Sequence, residues 1–426
     1  MERRIIGIVF GIMVAVSTIW AEEQKGTLTL EPIWEKEFED GLREVCELEP
    51  TSVGTKTRGL AEPSFSLKAV ETGNGVIKFF NEEGKVSLKV KKERENEWVG
   101  ISKNGKYVKI QAINDPKAYY KTGETTLELK DHKGNTLYKI DGVPDCAEIS
   151  PNGAIVATCP SFPGHISDYY IGLSFYSPSG SLTKRIDNIK LSGASAFSKD
   201  GSLYVTASIL EKRDESFKGR KNSLVVFNTK GEELWRYNID NMVKFYNIKI
   251  SDDKRFIAVC SRGPQEDNPE GHHGPSYLHI FNKEGNLLGT YSVEFRYETT
   301  GILGRRKGYL SFSPEGDYLA TTDYRNLYFF DTNRGELLWS HSFGFPFCIY
   351  SVSLSSDAKL IAVGGIYEVP NARSDRYIWL FDKSGNKIME KNIGKSYTGD
   401  VILNLSPDGK QLFMTTYEKT VFFNLK

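Results

Sequence analysis

The sequence predicts an all-β fold, a single propeller of four-stranded antiparallel blades, from three features. A serine-led tight turn recurs seven times at spacings of 42 to 62 residues. A second turn, containing glycine, follows each of the first six copies. Between the turns run short apolar or alternating segments, the pattern of buried and half-buried strands.

The unit is clearest from Tyr309 to His341. A short apolar strand ends at Phe312, and Ser313-Pro-Glu-Gly316 reverses the chain into a strand through Leu319. A third strand runs from Leu327 to Phe330, and the turn at Gly335 leads into a fourth that carries Trp339. Four strands of this length make one propeller blade.

The other serine turns are Ser102–Gly105, Ser150–Gly153, Ser198–Gly201, Ser251–Lys254, Ser355–Ala358 and Ser406–Gly409. Proline presets one backbone angle, Asp or Asn bonds locally, and glycine accepts positive φ, so this composition specifies a turn. The two copies ending in Lys254 and Ala358 lack the glycine and are expected to be strained or of another turn type. With the second turns at Gly134, Gly180, Gly231, Gly285, Gly335 and Gly385, six blades are complete.

The two ends supply the rest, giving eight blades, with seven as the alternative count. Leu42 to Leu48, the run through Phe65, Leu67 and Ala69, Val76 to Phe80 and Lys85 to Val90 make a degenerate blade. Its serine turn is replaced by the polar stretch Glu49 to Pro63. The C-terminal blade has only three strands, the last being Thr420 to Asn424. Thr27 to Phe38, with Trp34 placed like Trp235 and Trp339, is expected to add its fourth strand and close the ring. An open edge carrying Phe422 and Phe423 would template aggregation.

Composition agrees with this reading. Aromatics reach 12%, there are 39 glycines and five methionines, and 55 basic residues balance 55 acidic ones. Balanced charge gives no reason to expect a nucleic-acid partner. The basic clusters Arg305-Arg306-Lys307 and Lys89 to Arg94 read as solvated faces. Residues 1–21 read as a signal peptide: Arg3 and Arg4, an apolar run from Ile5 to Ile19, then Ala21. The same run could be retained as an anchor. Either way residues 22–426 form the propeller, and the body is expected to be exported to the periplasm, the cell surface or the medium, with no stable membrane span once the signal is cleaved. Five cysteines allow at most two internal disulfides, with Cys146 and Cys159 as one candidate pair, and no CxxC suggests zinc or a redox couple.

The repeats resemble the bacterial and archaeal propeller repeats that lie between WD-repeats and quinoprotein (PQQ-like) repeats. Ser406-Pro-Asp-Gly409 resembles the former, while Gly231-Glu-Glu-Leu-Trp235 and Gly335-Glu-Leu-Leu-Trp339 resemble the fourth-strand glycine and docking tryptophan of the latter. The resemblance implies architecture. Quinone-site residues are not matched, so no cofactor is carried over. Among such proteins, outer-membrane assembly factors and periplasmic sensor or scaffold propellers are the nearer functional analogues.

In a blade, second-to-third connections share a face with blade-to-blade connections, opposite the two glycine turns. That face carries the long stretches Ala112–Thr125, Pro160–Tyr170, Ile209–Asn222, Ser261–Ser276 and Gly364–Arg376, together with Glu294–Gly308. Long loops on a rigid scaffold commonly bind partners. Candidate contacts are Tyr119, Tyr120, Tyr169, Tyr170 and Tyr367, because tyrosine joins a large apolar body to a polar tip, together with His165, Asp168, His272, His273 and Arg373 on the same stretches. His272 and His273 lie behind Glu266, Asp267 and Glu270, but adjacent residues of an extended chain point apart, so no metal site is expected. His165 and Asp168 could form a base and its orienter, without an assignable nucleophile. The expectation is a non-enzymatic propeller binding a protein or an envelope polymer through this face. A hydrolase or lyase with its site at the channel mouth is the alternative.

Overall fold

The computed structural model describes residues 30–37, 42–45, 69–72, 76–80, 86–91, 97–102, 104–113, 124–144, 146–158, 172–187, 189–209, 221–240, 244–263, 276–293, 309–323, 325–367, 373–396, 401–416 and 419–426. These residues form eight four-stranded antiparallel sheets. The first comprises Leu42–Val45, Ala69–Thr72, Ile77–Phe80 and Val86–Val90. The second comprises Glu97–Ile101, Tyr107–Ala112, Glu124–Asp131 and Thr136–Pro144, and the third Cys146–Ile149, Ile155–Thr158, Leu173–Tyr176 and Leu182–Ile186. In the fourth are Lys190–Phe197, Leu203–Ile209, Lys221–Asn228 and Glu233–Asp240, and in the fifth Lys244–Ile250, Phe256–Arg262, Ser276–Asn282 and Leu287–Val293. The sixth holds Tyr309–Phe312, Tyr318–Thr322, Asn326–Asp331 and Glu336–Ser342; the seventh holds Phe347–Leu354, Leu360–Tyr367, Ser374–Asp382 and Lys387–Ser396. The eighth joins Val401–Leu405, Gln411–Thr416 and Lys419–Leu425 to the N-terminal strand Leu30–Glu37.

The first strands of sheets four to eight contact one another in turn, which makes them the inner wall. The sheet faces pack on their neighbours. Between sheets four and five lie Val205, Leu224, Val226, Ile257, Val259 and Phe281; between six and seven lie Phe329, Val352, Ile361 and Trp379. Leu30 joins Ile378, Leu380, Leu403 and Phe423 between sheets seven and eight, so the N-terminal strand contributes to the core as well as to the ladder. Each such side chain buried contributes roughly 1.5–3 kcal/mol.

The fourth strand of every sheet is bulged at the same place. Trp235 faces Val226 and Glu233 faces Phe227, so Leu234 is the extra residue. Leu338 is skipped in the same way before Trp339, and Leu137, Thr183, Leu288, Ile388 and Ser87 in the other sheets. In the N-terminal strand Trp34 faces Phe422 and Pro32 faces Phe423, which leaves Ile33 as the extra residue. That strand therefore repeats the register of the seven fourth strands made within their own sheets.

The bulge aims the next side chain at the neighbouring sheet. Trp235 and Trp339 each lie against the glycine turn of the following sheet, and their indole N–H groups donate to Lys283 and Lys383 carbonyls at 2.9 Å. A Cβ on Gly285 would lie 2.7 Å from Trp235, and one on Gly385 2.9 Å from Trp339. Leu88, Tyr138 and Lys184 occupy the same position against Gly134, Gly180 and Gly231. Where this position is itself a glycine, Gly289, the Tyr291 hydroxyl donates to the Gly335 carbonyl instead.

The serine turns share one network. Each serine is buried, and at six of the seven turns its Oγ accepts the N–H that opens the second strand, from Tyr107, Leu203, Phe256, Tyr318, Leu360 and Gln411 at 2.9–3.1 Å. The hydroxyl donates to the Asp or Asn two residues on, for example Asp200 at 2.7 Å and Asp408 at 2.6 Å. Lys254 and Ala358 complete the same turn at φ 63° and 53°. Strain is thus present, but a different turn type is not; the network holds the backbone in the left-handed region even with a Cβ. Gly409, at φ 69°, faces Ser355 Cβ at 3.3 Å from a built Cβ. Gly409→Ala should therefore form the turn and lose about 1–2 kcal/mol of stability, read as a shift in the urea midpoint at unchanged slope.

Turns of adjacent sheets are also stapled together. Lys199 pairs with Asp252 and Lys254 with Asp200, both at 2.6 Å, Arg255 reaches Asp317 at 2.8 Å, and Asn104 donates to the Pro151 carbonyl at 2.6 Å. The turn end is therefore occupied by the fold's own contacts.

Candidate functional site

Antiparallel strands put both sets of tight turns at one end of the sheets and the second-to-third and sheet-to-sheet connections at the other. The stretches 113–123, 159–172, 210–220 and 263–275 are second-to-third connections, and 294–308 joins sheets five and six; all belong to the same end. The expected excursion Gly364–Arg376 is shorter than the sequence suggests, because the strands continue to Tyr367 and resume at Ser374. Gly364 and Gly365 are strand residues rather than loop residues. A Cβ on Gly364 would meet Ser351 Oγ at 2.6 Å and the Val401 carbonyl at 2.7 Å, and one on Gly365 would overlap the Cys348 carbonyl. The glycine pair reports close backbone approach, a role that composition does not distinguish from a loop.

Of the expected contact residues, Tyr119, Tyr120, His165, Asp168, Tyr169, Tyr170, His272 and His273 lie outside the described residues. Tyr367 and Arg373 are described. Tyr367 ends the second strand of sheet seven, 38% exposed, and Arg373 is exposed just before the third.

Around Tyr367 the structure gathers aromatic residues that the sequence reading did not single out. Phe347, its Cα partner, meets Tyr367 edge-on at 5.3 Å and 81°, and meets Tyr377 at 5.5 Å and 87°. Tyr377 stacks on Trp379 at 5.4 Å and 10°. Phe345, on the connection from sheet six to sheet seven, is 75% exposed and carries the Arg325 guanidinium 5.0 Å above its ring. The connection is pinned: Phe343 N–H donates to the Arg325 carbonyl at 2.9 Å and Phe347 N–H to Gly344 at 3.1 Å. The run Phe343-Gly-Phe-Pro-Phe347 was the available signal, but alternating phenylalanines ordinarily mark a core.

Asp323 organises this corner from below. Only 2% exposed, it accepts the backbone N–H groups of Arg325 at 2.8 Å and Asn326 at 2.6 Å, the Asn326 side-chain amide at 2.9 Å and the Tyr328 hydroxyl at 2.7 Å. Burial nonetheless raises its carboxyl above the ordinary aspartate range, against those hydrogen bonds.

A second polar group sits within sheet five. The Ser261 hydroxyl lies 2.7 Å from His279 Nε2, and His279 Nδ1 lies 3.0 Å from Thr290 Oγ1. This resembles a nucleophile and its base, but Thr290 stands where an orienting carboxylate would be, and both residues are buried among strands. Burial pulls the imidazole down to about 4, so it is neutral near pH 7.

The inner strands present exposed Glu148, Lys249, Ile402 and Asn404, and the Ser195 hydroxyl donates to Glu148. Among the described residues no three His, Cys, Asp or Glu side chains converge as a metal site. Cys260 and Cys348 are buried free thiols, Cys260 pushed by burial up to about 12. Cys146 faces Thr158 across its ladder, while Cys159 lies outside the described residues.

No family model and no curated protein sequence matches the chain. Among solved structures, the Dos1 propeller aligns at a TM-score of 0.50 and 12% identity, covering 93% of this chain and 95% of that one. A chain of the mitotic checkpoint complex aligns at 0.42 and 12% identity, covering 93% and 96% of the two chains. Hydrazine synthase of Kuenenia stuttgartiensis aligns at 0.42 and 15%, covering 75% of this chain and 92% of its own. The eight four-stranded sheets and the likeness to the Dos1 propeller make this chain a β-propeller.

Proposed function

We propose that the protein is an exported, non-enzymatic scaffold, built from quinoprotein-like and WD-like repeats, that binds a protein or an envelope polymer through its long-connection end. The observation that carries this reading is the asymmetry of the two ends: tight, mutually stapled turns at one, and long connections with exposed aromatics at the other. Strand polarity adds to it. Leu30 faces Leu425, so the described chain both enters and leaves the eighth sheet at the turn end. A leader or anchor before Leu30 would thus attach away from the proposed binding surface. The docking-position tryptophans and their glycine turns support the quinoprotein-like repeat assignment.

The test is crosslinking in the native envelope followed by mass spectrometry. Replacing 264–275 or 210–220 with short Gly-Ser connections should remove specific crosslinked partners, whereas Lys359→Glu at the turn end should not. An unchanged partner set in both loop variants contradicts the proposal.

A further inference from the structure

We propose that the inner wall between sheets three and four binds a monovalent cation, an alkali ion or a primary ammonium group, on the oxygens of Glu148, Ser195, Tyr204 and Thr206.

Sheet four departs from its own repeat at this wall. In each sheet with a serine turn, one second-strand residue pairs with the last first-strand residue before the serine. It is Val108, Ile155, Ile257, Leu319, Ile361 or Leu412 in six of them, and Tyr204 in sheet four. Two residues earlier on the first strand, the same six sheets carry Ala, Val, Ile or Leu, whereas sheet four carries Ser195. Ser195 is the Cα partner of Thr206, which shares a face with Tyr204. Ala194, Ala196, Val205 and Ala207 pack towards sheet five, so the three hydroxyl residues face sheet three. There Ala147 and Ile149 pack with Leu127 of sheet two, which turns Glu148 towards sheet four. Polar residues at positions that a repeat otherwise keeps apolar are expected where the fold serves a ligand.

The four side chains meet beside the channel. The Ser195 hydroxyl donates to Glu148, and the Thr206 hydroxyl donates to the Ala194 carbonyl at 3.2 Å. Tyr204 is 0% exposed, yet its hydroxyl has no hydrogen-bond partner in good geometry among the described residues. It is aimed at the same group: burial, and after it the Glu148 charge, raise the phenol well above its ordinary value, with Ser195 and Thr206 acting the other way. Burying a hydroxyl without a partner costs stability that the aliphatic residues of the other sheets do not lose. Glu148 is exposed and Ser195 half-buried, so the cluster opens on the channel with Tyr204 as its floor.

The hydrogens decide the sign of the ligand. Those of Ser195 and Thr206 are committed and Tyr204 has one to give, whereas all four side chains keep oxygen lone pairs. An acceptor-rich cluster around one carboxylate complements a cation, either a bare ion or a group with several N–H donors. A single carboxylate among neutral hydroxyls is too little charge for a divalent ion held by protein oxygens. Nor does the fold neutralise Glu148 itself. Lys109 of sheet two donates to the Ala147 carbonyl, and Glu148 makes no ion pair among the described residues.

The experiment titrates the purified chain with potassium, sodium, methylammonium and calcium chlorides by calorimetry. Ionic strength is held with tetramethylammonium chloride, whose charge carries no N–H donor. An alkali ion or methylammonium should bind at one site per chain and raise the melting temperature, and whichever does so identifies the source. Glu148→Gln should weaken that binding at least tenfold and Tyr204→Phe several-fold. In tetramethylammonium chloride alone both variants should melt at or above the wild-type temperature, because Glu148 is exposed and the Tyr204 hydroxyl has no partner to lose. Tighter binding of calcium, no binding beyond the tetramethylammonium baseline, or unchanged binding in either variant would overturn the proposal.

Discussion

Deleting Leu30–Glu37 is expected to leave the protein insoluble, or to lower its melting temperature by more than 10 °C. The deletion removes the whole partner of Lys419–Leu425, exposing a seven-residue edge on which Val421, Phe422 and Phe423 are buried in the intact fold. It also takes Leu30 from the core between sheets seven and eight, and with it the Leu30 carbonyl that accepts from Lys391 at 3.0 Å. Re-exposing two phenylalanines alone costs roughly 3–6 kcal/mol, a large part of the ~5–15 kcal/mol that holds a typical domain together. A flat apolar edge is also a template for pairing between chains. Adding a synthetic peptide of residues 27–38 during refolding should restore soluble protein. A monodisperse truncation melting at the wild-type temperature would contradict this account.

Acidification from pH 7 to pH 4 should lower stability by up to about 3 kcal/mol through His279 alone. In the folded chain burial holds this imidazole at about 4, against an ordinary value of 6.5. Between those values the unfolded chain takes up a proton that the folded chain refuses, so stability is full above pH 6.5 and is lost as pH falls towards 4. The size follows from ~1.4 kcal/mol per pH unit of displacement. The carboxylates of the serine turns act in a lower window. Burial pulls Asp200 upward, but hydrogen bonds from Lys254, Ser198 and Ser202 outweigh it and hold the group well below the ordinary range. Asp253, Asp357 and Asp408 are displaced the same way, burial again opposed by hydrogen bonds from Ser251, Lys359 and Ser406. Their stabilisation is present above the ordinary carboxylate range and is lost below pH 4. Urea midpoints for wild type and His279→Gln at pH 7, 5.5 and 4.5 separate the two: the variant should decline less steeply across this range, its remaining slope coming from His341, whose imidazole burial and Lys387 also hold below the ordinary value. An equal decline in both proteins would show that His279 is not the responsible group.

The architecture was legible because its signals are local. Serine, an Asp, Asn or Glu two residues on, and in five copies a closing glycine recur at fixed offsets, so seven turns could be counted without knowing what packs on them. The N-terminal strand was legible for a related reason: Ile33-Trp34 repeats the bulge and docking positions of Leu234-Trp235 and Leu338-Trp339. Tertiary contacts set the limits. Gly364 and Gly365 read as loop because nothing in the sequence shows Ser351, Val401 and Cys348 pressing on their backbone. Lys254 and Ala358 read as exceptions because a buried network, not a glycine, sets their φ. At the candidate site, Tyr367 and Arg373 were found through their place on a connection, whereas Phe345 and Phe347 look like core residues until exposure and ring angles are known. The remaining eight expected contact residues lie outside the described residues, so sheets six and seven define the site.

The closed eighth sheet places the entry and exit of the described chain at the turn end, away from the long connections, and it can be tested by a single crosslink. Lys36 and Thr420 are Cα partners between the N-terminal strand and the last strand. In a Lys36→Cys, Thr420→Cys double variant, mild oxidation should join these two positions within one chain, shown by peptide mapping of the monomeric band. A bond formed only between chains, or none in folded protein, would contradict the closure on which the functional reading stands.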